Sequence, residues 1–233
     1  MQTKKTFSDK LYIFFNILTY IVFANLLMFV TSIFGLVFFT LMPALVALYI
    51  MINSLYFKSE YPILKTFFLI FRKEYVRSQK LFMILLIVGF LIGFDIYYFY
   101  TRIDGHVINL VFMLVFILLA VIFVLILTHV FPVYIYFPKL NVFETLKMAF
   151  LLSLTNLAHS LLYIIGFIAT FFLLFYIPLL TALIPIGFFS LLVYAKSFIM
   201  NPNFLRLTKD HRPVLVEDYL DGTIDKIYKE EIV

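Results

Sequence analysis

The sequence predicts an all-α, polytopic transmembrane helical bundle of about six membrane segments. Three observations predict it. Of 233 residues, 64% are hydrophobic and only 13% carry a formal charge, against about 45–50% apolar and about 25% charged in soluble domains. Two tracts, Leu11 to Phe57 and Met148 to Ala195, hold no Asp, Glu, Lys or Arg over 47 and 48 residues. The basic residues cluster between the apolar tracts rather than within them. With 31 Phe and 16 Tyr, a water-soluble chain would expose large apolar patches and aggregate, so lipid is the solvent that suits it.

Each segment follows from length. A helix needs about 20 apolar residues to cross a hydrocarbon core of about 30 Å. As one helix, Leu11 to Phe57 would extend about 70 Å, so it must turn back. Gly35 and Pro43 bracket the expected turn, because proline suits the first turn of a new helix. The legs are 11–34 and 43–57, the second short and therefore either tilted or only partly crossing. Segment 81–100 follows, then a polar turn at Thr101 to His106 and a return over 107–131. The second uncharged tract divides at Tyr176-Ile177-Pro178 into segments 155–176 and 179–199, with Asn201-Pro202 ending the last. These elements are expected to form one membrane-embedded domain over 1–200, followed by a cytoplasmic tail, 201–233. Lys4, Lys5 and Lys10 precede the first apolar run without a cleavage site after a short core, which reads as an uncleaved first span.

Sidedness comes from Lys and Arg, which stay in the cytoplasm. With six segments, 17 of the 18 basic residues fall on one face and only Arg102 on the other; five segments would put the amino-terminal lysines outside. Both termini are thus expected inside. The net charge of +5 flanks apolar runs, which points to anionic lipid headgroups and not to nucleic acid.

Outside the spans, 63–80 is expected to be a cytoplasmic-side amphipathic helix. Leu64, Phe67, Phe68, Phe71 and Tyr75 recur at helical spacing, with Lys65, Arg72, Lys73 and Arg77 largely off that face. Such a helix suits either the membrane surface or packing on neighbouring spans, and its cations are candidate surface or partner contacts. Val142 to Leu154 starts with a related pattern, compatible with an internal duplication or with chance. In the tail, Val216, Leu220, Ile224 and Ile227 outline one face of a short helix that Gly222 interrupts; docking under the bundle is the default expectation.

Polar groups at membrane depth are costly and are candidate sites. Asp95 is the only carboxylate within an expected span, near Arg102 and His106, and suits a proton or substrate site or a hydrated interfacial carboxylate. Asn25, Asn53 and His129 complete the candidate polar membrane site, with interhelical hydrogen bonding the plainer role for the asparagines. His159 and His129 lack a partner at metal-ligand spacing. With 7 Gly and no Cys, nucleophile-elbow, phosphate-loop, metalloprotease-helix and thiolate motifs are missing. No catalytic residue, metal or cofactor is expected.

Three stretches carry a resemblance. Asn25-Leu26-Leu27 precedes Met42-Pro43-Ala44-Leu45-Val46-Ala47-Leu48, with Met42 at a position where glycine is usual. Ile63 to Tyr75 is Phe-rich and basic, with Asp95 near the end of the next span. Phe131-Pro132-Val133-Tyr134 precedes Phe143-Glu144-Thr145-Leu146-Lys147-Met148-Ala149-Phe150. In this order, over roughly residues 11–200, the chain resembles the YesL-like family of bacterial membrane proteins of unknown function. The resemblance implies a plasma-membrane protein of Gram-positive-type bacteria. It also implies a role near sugar uptake, since family members are often encoded beside sugar transporters and polysaccharide-degrading enzymes. It carries over no site residues. The expected role is a non-catalytic accessory component of carbohydrate uptake that meets the bilayer and sugar-transporter membrane subunits. A small autonomous transporter is the alternative, and an intramembrane enzyme built from Asp95, His106, His129 and His159 is third.

Overall fold

The computed structural model describes residues 7–57, 61–102, 107–177, 181, 184–207 and 212–229. The amino-terminal Lys4 and Lys5, Lys58, His106, the turn proline Pro178 and Lys209 lie outside them. Among the described residues the chain is helical without a strand: α1 (Phe7–Phe34), α2 (Val37–Tyr56), α3 (Ile63–Tyr100), α4 (Val107–Tyr136), α5 (Val142–Thr155), α6 (Leu157–Tyr176), a π-helical turn (Ile184–Phe188), α7 (Phe189–Leu207), α8 (Val216–Leu220) and α9 (Thr223–Lys229). Six stretches of the described residues are long and apolar enough to cross a membrane: Leu11–Phe34, Val37–Tyr56, Ile63–Tyr100, Val107–Tyr136, Leu157–Tyr176 and Ile184–Arg206. The protein is a multi-pass, all-α membrane protein.

Four boundaries differ from the sequence expectation. The second segment is not short. The chain reverses at Gly35-Leu36, and α2 runs 20 residues from Val37 with Pro43 inside it, about 30 Å. Leu36 takes a left-handed φ of 53°, and a Cβ on Gly35 would lie 2.2 Å from the Thr40 side chain. That side chain turns back to donate to the Thr31 carbonyl, 3.0 Å away, closing the end of α1. Pro43 forgoes one helical hydrogen bond, which membrane helices tolerate.

The amphipathic segment 63–80 and the span 81–100 are one helix, α3, of 38 residues. No Pro or Gly interrupts it before Gly89, so nothing breaks the ladder at the change in polarity. At about 57 Å it is longer than the hydrocarbon of a bilayer. Helix α4 continues past 131 through Pro132 to Tyr136. The last span continues through Asn201-Pro202 to Leu207, because Pro202 sits where a single lost backbone bond is tolerable.

The chain packs as two compact units. The first comprises Met1–Tyr75 and Ile168–Val233, the second Val76–Phe167. In the first unit α2 is central: it packs on α1, α7 and α8, and α1 also meets the π-helical turn. Small and aliphatic side chains, among them Ala44, Ala47, Leu48, Ile50 and Met51, are almost wholly buried along it. In the second unit α4 packs on α5. Phe99 stacks on Phe112 and Phe116 at centroid distances of 5.2 and 5.7 Å. Helix α5 opens with a reciprocal capping box between Asn141 and Glu144, worth about 1 kcal/mol.

Candidate functional site

The first unit concentrates its polar groups in two buried layers. The first layer surrounds Asn25 on α1, which is fully buried. Its amide nitrogen donates to the carbonyls of Ile184 and Pro185, at 2.9 and 2.8 Å, and its oxygen accepts from the Ser190 N–H at 3.2 Å. A π turn leaves backbone groups poorly paired, and in an apolar setting each must find a partner. Asn25 meets that demand, so it is a structural clamp on the start of the last span.

The second layer lies where α2 and α7 end. Asn53, fully buried, accepts from the Asn201 amide at 2.8 Å. Ser54 donates to Ile50 O and accepts from the Val216 N–H at 3.1 Å, which ties the carboxy-terminal segment to α2. Lys196, 4% exposed, rests with its ammonium 5.8 Å from the centre of the Tyr49 ring. A charge so placed on a spanning helix is unusual.

Beyond these spans, residues 212–229 fold onto the same unit. Arg212 donates to Asp218 at 2.8 Å, and Asp218 accepts from the Leu215 N–H at 2.9 Å, which caps α8. Gly222, at a φ of 78°, separates α8 from α9, and Asp221 accepts from the Thr223 N–H at 2.9 Å. That N–H holds the Asp221 carboxyl below its ordinary range. Val216 and Ile224 are fully buried while Leu220 is exposed, so the break at Gly222 turns the expected single face into two.

Glu74 of α3 anchors this segment. It is fully buried and one of its oxygens accepts from both Tyr219 and Tyr228, each at 2.6 Å. Beside it Lys73 pairs with Asp225 at 2.7 Å. The buried stripe of α3 is Phe67, Ile70, Glu74, Ser78 and Leu81, rotated from the expected aromatic face: Leu64 and Phe68 point outward, 61% and 50% exposed. Of the four expected surface cations, Lys65 and Arg72 are exposed. Lys73 is held by Asp225, and Arg77 lies over the Tyr134 ring at 4.1 Å.

The remaining candidates, Asp95 and His129, lie in the second unit. Asp95 is half-buried. Arg102, expected beside it, instead donates to the Tyr98 hydroxyl at 2.7 Å and covers that ring at 4.3 Å. His129 is fully buried, its Nδ1 2.8 Å from the Thr128 hydroxyl. Since that hydroxyl also lies 2.7 Å from the Leu125 carbonyl, donation there leaves Nδ1 as the donor to Thr128. Among the described residues no group of three His, Asp or Glu side chains is spaced to hold a metal ion.

Sequence reading missed Glu74, Lys196 and Asn201. Glu74 was visible as the one carboxylate on the stripe 67, 70, 74, 78, 81, and Lys196 as the charge closing an apolar tract. It also missed a groove lined in part by Tyr20 and Tyr61. Tyr20 on α1 donates to the Tyr61 carbonyl at 2.8 Å and accepts from the Tyr61 N–H at 3.1 Å. Burial, then the neighbouring Tyr20, push the Tyr61 phenol well above its ordinary value.

Residues 11–96 match a protein family of unknown function, DUF624. The matched segment covers most of α1, all of α2 and most of α3, and so contains Asn25, Asn53 and Glu74. The chain is also 29% identical over 187 residues to the uncharacterized protein YteU of Bacillus subtilis (strain 168), an alignment covering 79% of this chain and 81% of that protein. Both findings accord with the resemblance to YesL-like proteins. No solved structure matches the chain.

Proposed function

We propose that this protein is a non-catalytic accessory component of bacterial carbohydrate uptake, held in the plasma membrane with both termini in the cytoplasm. The observation that carries the reading is how the deep polar groups are spent. Asn25 uses both amide hydrogens and its oxygen on backbone of the last span, and the Asn53 oxygen is taken by Asn201. Side chains committed to holding helices together do not line a substrate path. Binding then falls to outer faces, and α3 offers one in Leu64, Lys65, Phe68 and Arg72, all exposed. The sorting of basic residues supports the orientation, and the resemblance supports sugar-transporter membrane subunits as the partner.

A small autonomous transporter is the second reading, favoured by the buried Lys196 on a spanning helix. One experiment separates the two. Affinity purification of the full-length protein in mild detergent should recover permease subunits stoichiometrically. Recovery of the protein alone under several conditions counts against the accessory role and leaves the transporter.

A further inference from the structure

A groove of about 530 Å³ lies between α1 and the start of α3, lined by Asn16, Thr19, Tyr20 and Phe23 on one side and by Tyr61 to Lys65 on the other. We infer that this groove holds one anionic phospholipid, its phosphate at Lys65 and one acyl chain running toward Phe23.

The order of side chains along α1 matches an amphiphile. Asn16, Thr19, Tyr20 and Phe23 form a stripe at helical spacing that runs from polar to aromatic over about 10 Å. Phe23 lies near the middle of the Leu11–Phe34 span, so the apolar end points to the bilayer interior and the polar end to its surface. The groove is open and its walls are mainly apolar, which suits an acyl chain.

Its chemistry at the mouth is cationic. Lys65 is exposed, and Arg72 lies exposed two turns further along the same face of α3, with Phe68 between them. Ile63, Leu64 and Lys65 belong to the first turn of α3, whose N–H groups add to the attraction for an anion. Among the described residues no carboxylate lines the groove, which favours an anionic head over a zwitterionic one. The floor is already set: the Tyr20 hydroxyl is taken up by the backbone of Tyr61, and the Tyr61 hydroxyl donates to the Met51 carbonyl. The occupant thus meets a rigid wall and a lysine that is free to reach it.

Native mass spectrometry of the full-length protein in mild detergent tests this, with phosphatidylglycerol, phosphatidylcholine and inorganic phosphate as separate probes. We expect one phosphatidylglycerol to be retained in preference to phosphatidylcholine, with no retention of inorganic phosphate. Lys65→Ala should cut that occupancy about fivefold, the scale of one basic contact at a lipid surface. Lys65→Arg should preserve it, and Lys80→Ala, on the same helix outside the groove, should leave it unchanged. Equal retention of the two lipids, loss of neither on Lys65→Ala, or no retained lipid would overturn the assignment. Binding of inorganic phosphate as firmly as phosphatidylglycerol would replace the lipid with a free anion.

Discussion

The two units of this protein use the same apolar alphabet in opposite ways. In the first, 67% of the apolar stretch of α2 is buried; in the second, only 6% of that of α4 is. The first unit links its helices through Asn25, Asn53, Ser54 and Glu74, groups that reach across most of the chain. The second, over 76–167, stacks Phe99 on Phe112, sets Arg77 over the Tyr134 ring and presents Ile108, Val111, Leu114, Leu118 and Val121 outward. Lipid tails are as apolar as leucine, so burial of apolar surface does little to hold membrane helices together. A unit that fixes one arrangement therefore needs directional bonds.

Breaking the polar links should separate the units by effect. Glu74→Ala strands the Tyr219 and Tyr228 hydroxyls, and hydrogen bonds of this kind are worth about 1.5 kcal/mol each or more. The expected loss is about 3 kcal/mol, read as a lowered thermal midpoint in detergent and as new protease cleavage within 212–229. Glu74→Gln keeps an acceptor and should lose less. Asn25→Ala leaves two carbonyls and one N–H without a partner at the π-helical turn, and should cost about 2 kcal/mol by the same thermal measurement. In the second unit Phe99→Leu keeps the apolar bulk but loses the stacking, and should cost about 1 kcal/mol. Equal losses from Asn25→Ala and Phe99→Leu would erase the distinction between the units.

The fate of individual residues shows what pattern alone conveys. Lys65 and Arg72 were legible as an outward cationic face because their spacing on α3 is local. Lys73 and Arg77, with the same spacing rule, were not. Their partners, Asp225 and Tyr134, lie 152 and 57 positions away, and no local pattern announces them. Asn25 was legible as a helix-pairing residue but not as the clamp of a π turn, because the turn itself was invisible. Asp95 stood out by being a lone carboxylate in an apolar span, and lone chemistry is what sequence reading weights most. Glu74 was hidden among Arg72, Lys73, Arg77 and Lys80, where a carboxylate reads as one more surface charge.

From sequence alone came the all-helical class, the membrane as solvent and the number of long apolar segments, since hydropathy and helix length are sums over neighbouring residues. Tertiary packing alone decided that α2 lies at the centre of its unit and that Glu74 gathers the carboxy-terminal segment. Those outcomes depend on residues about 150 positions apart meeting, and their energy exists only once distant helices are side by side.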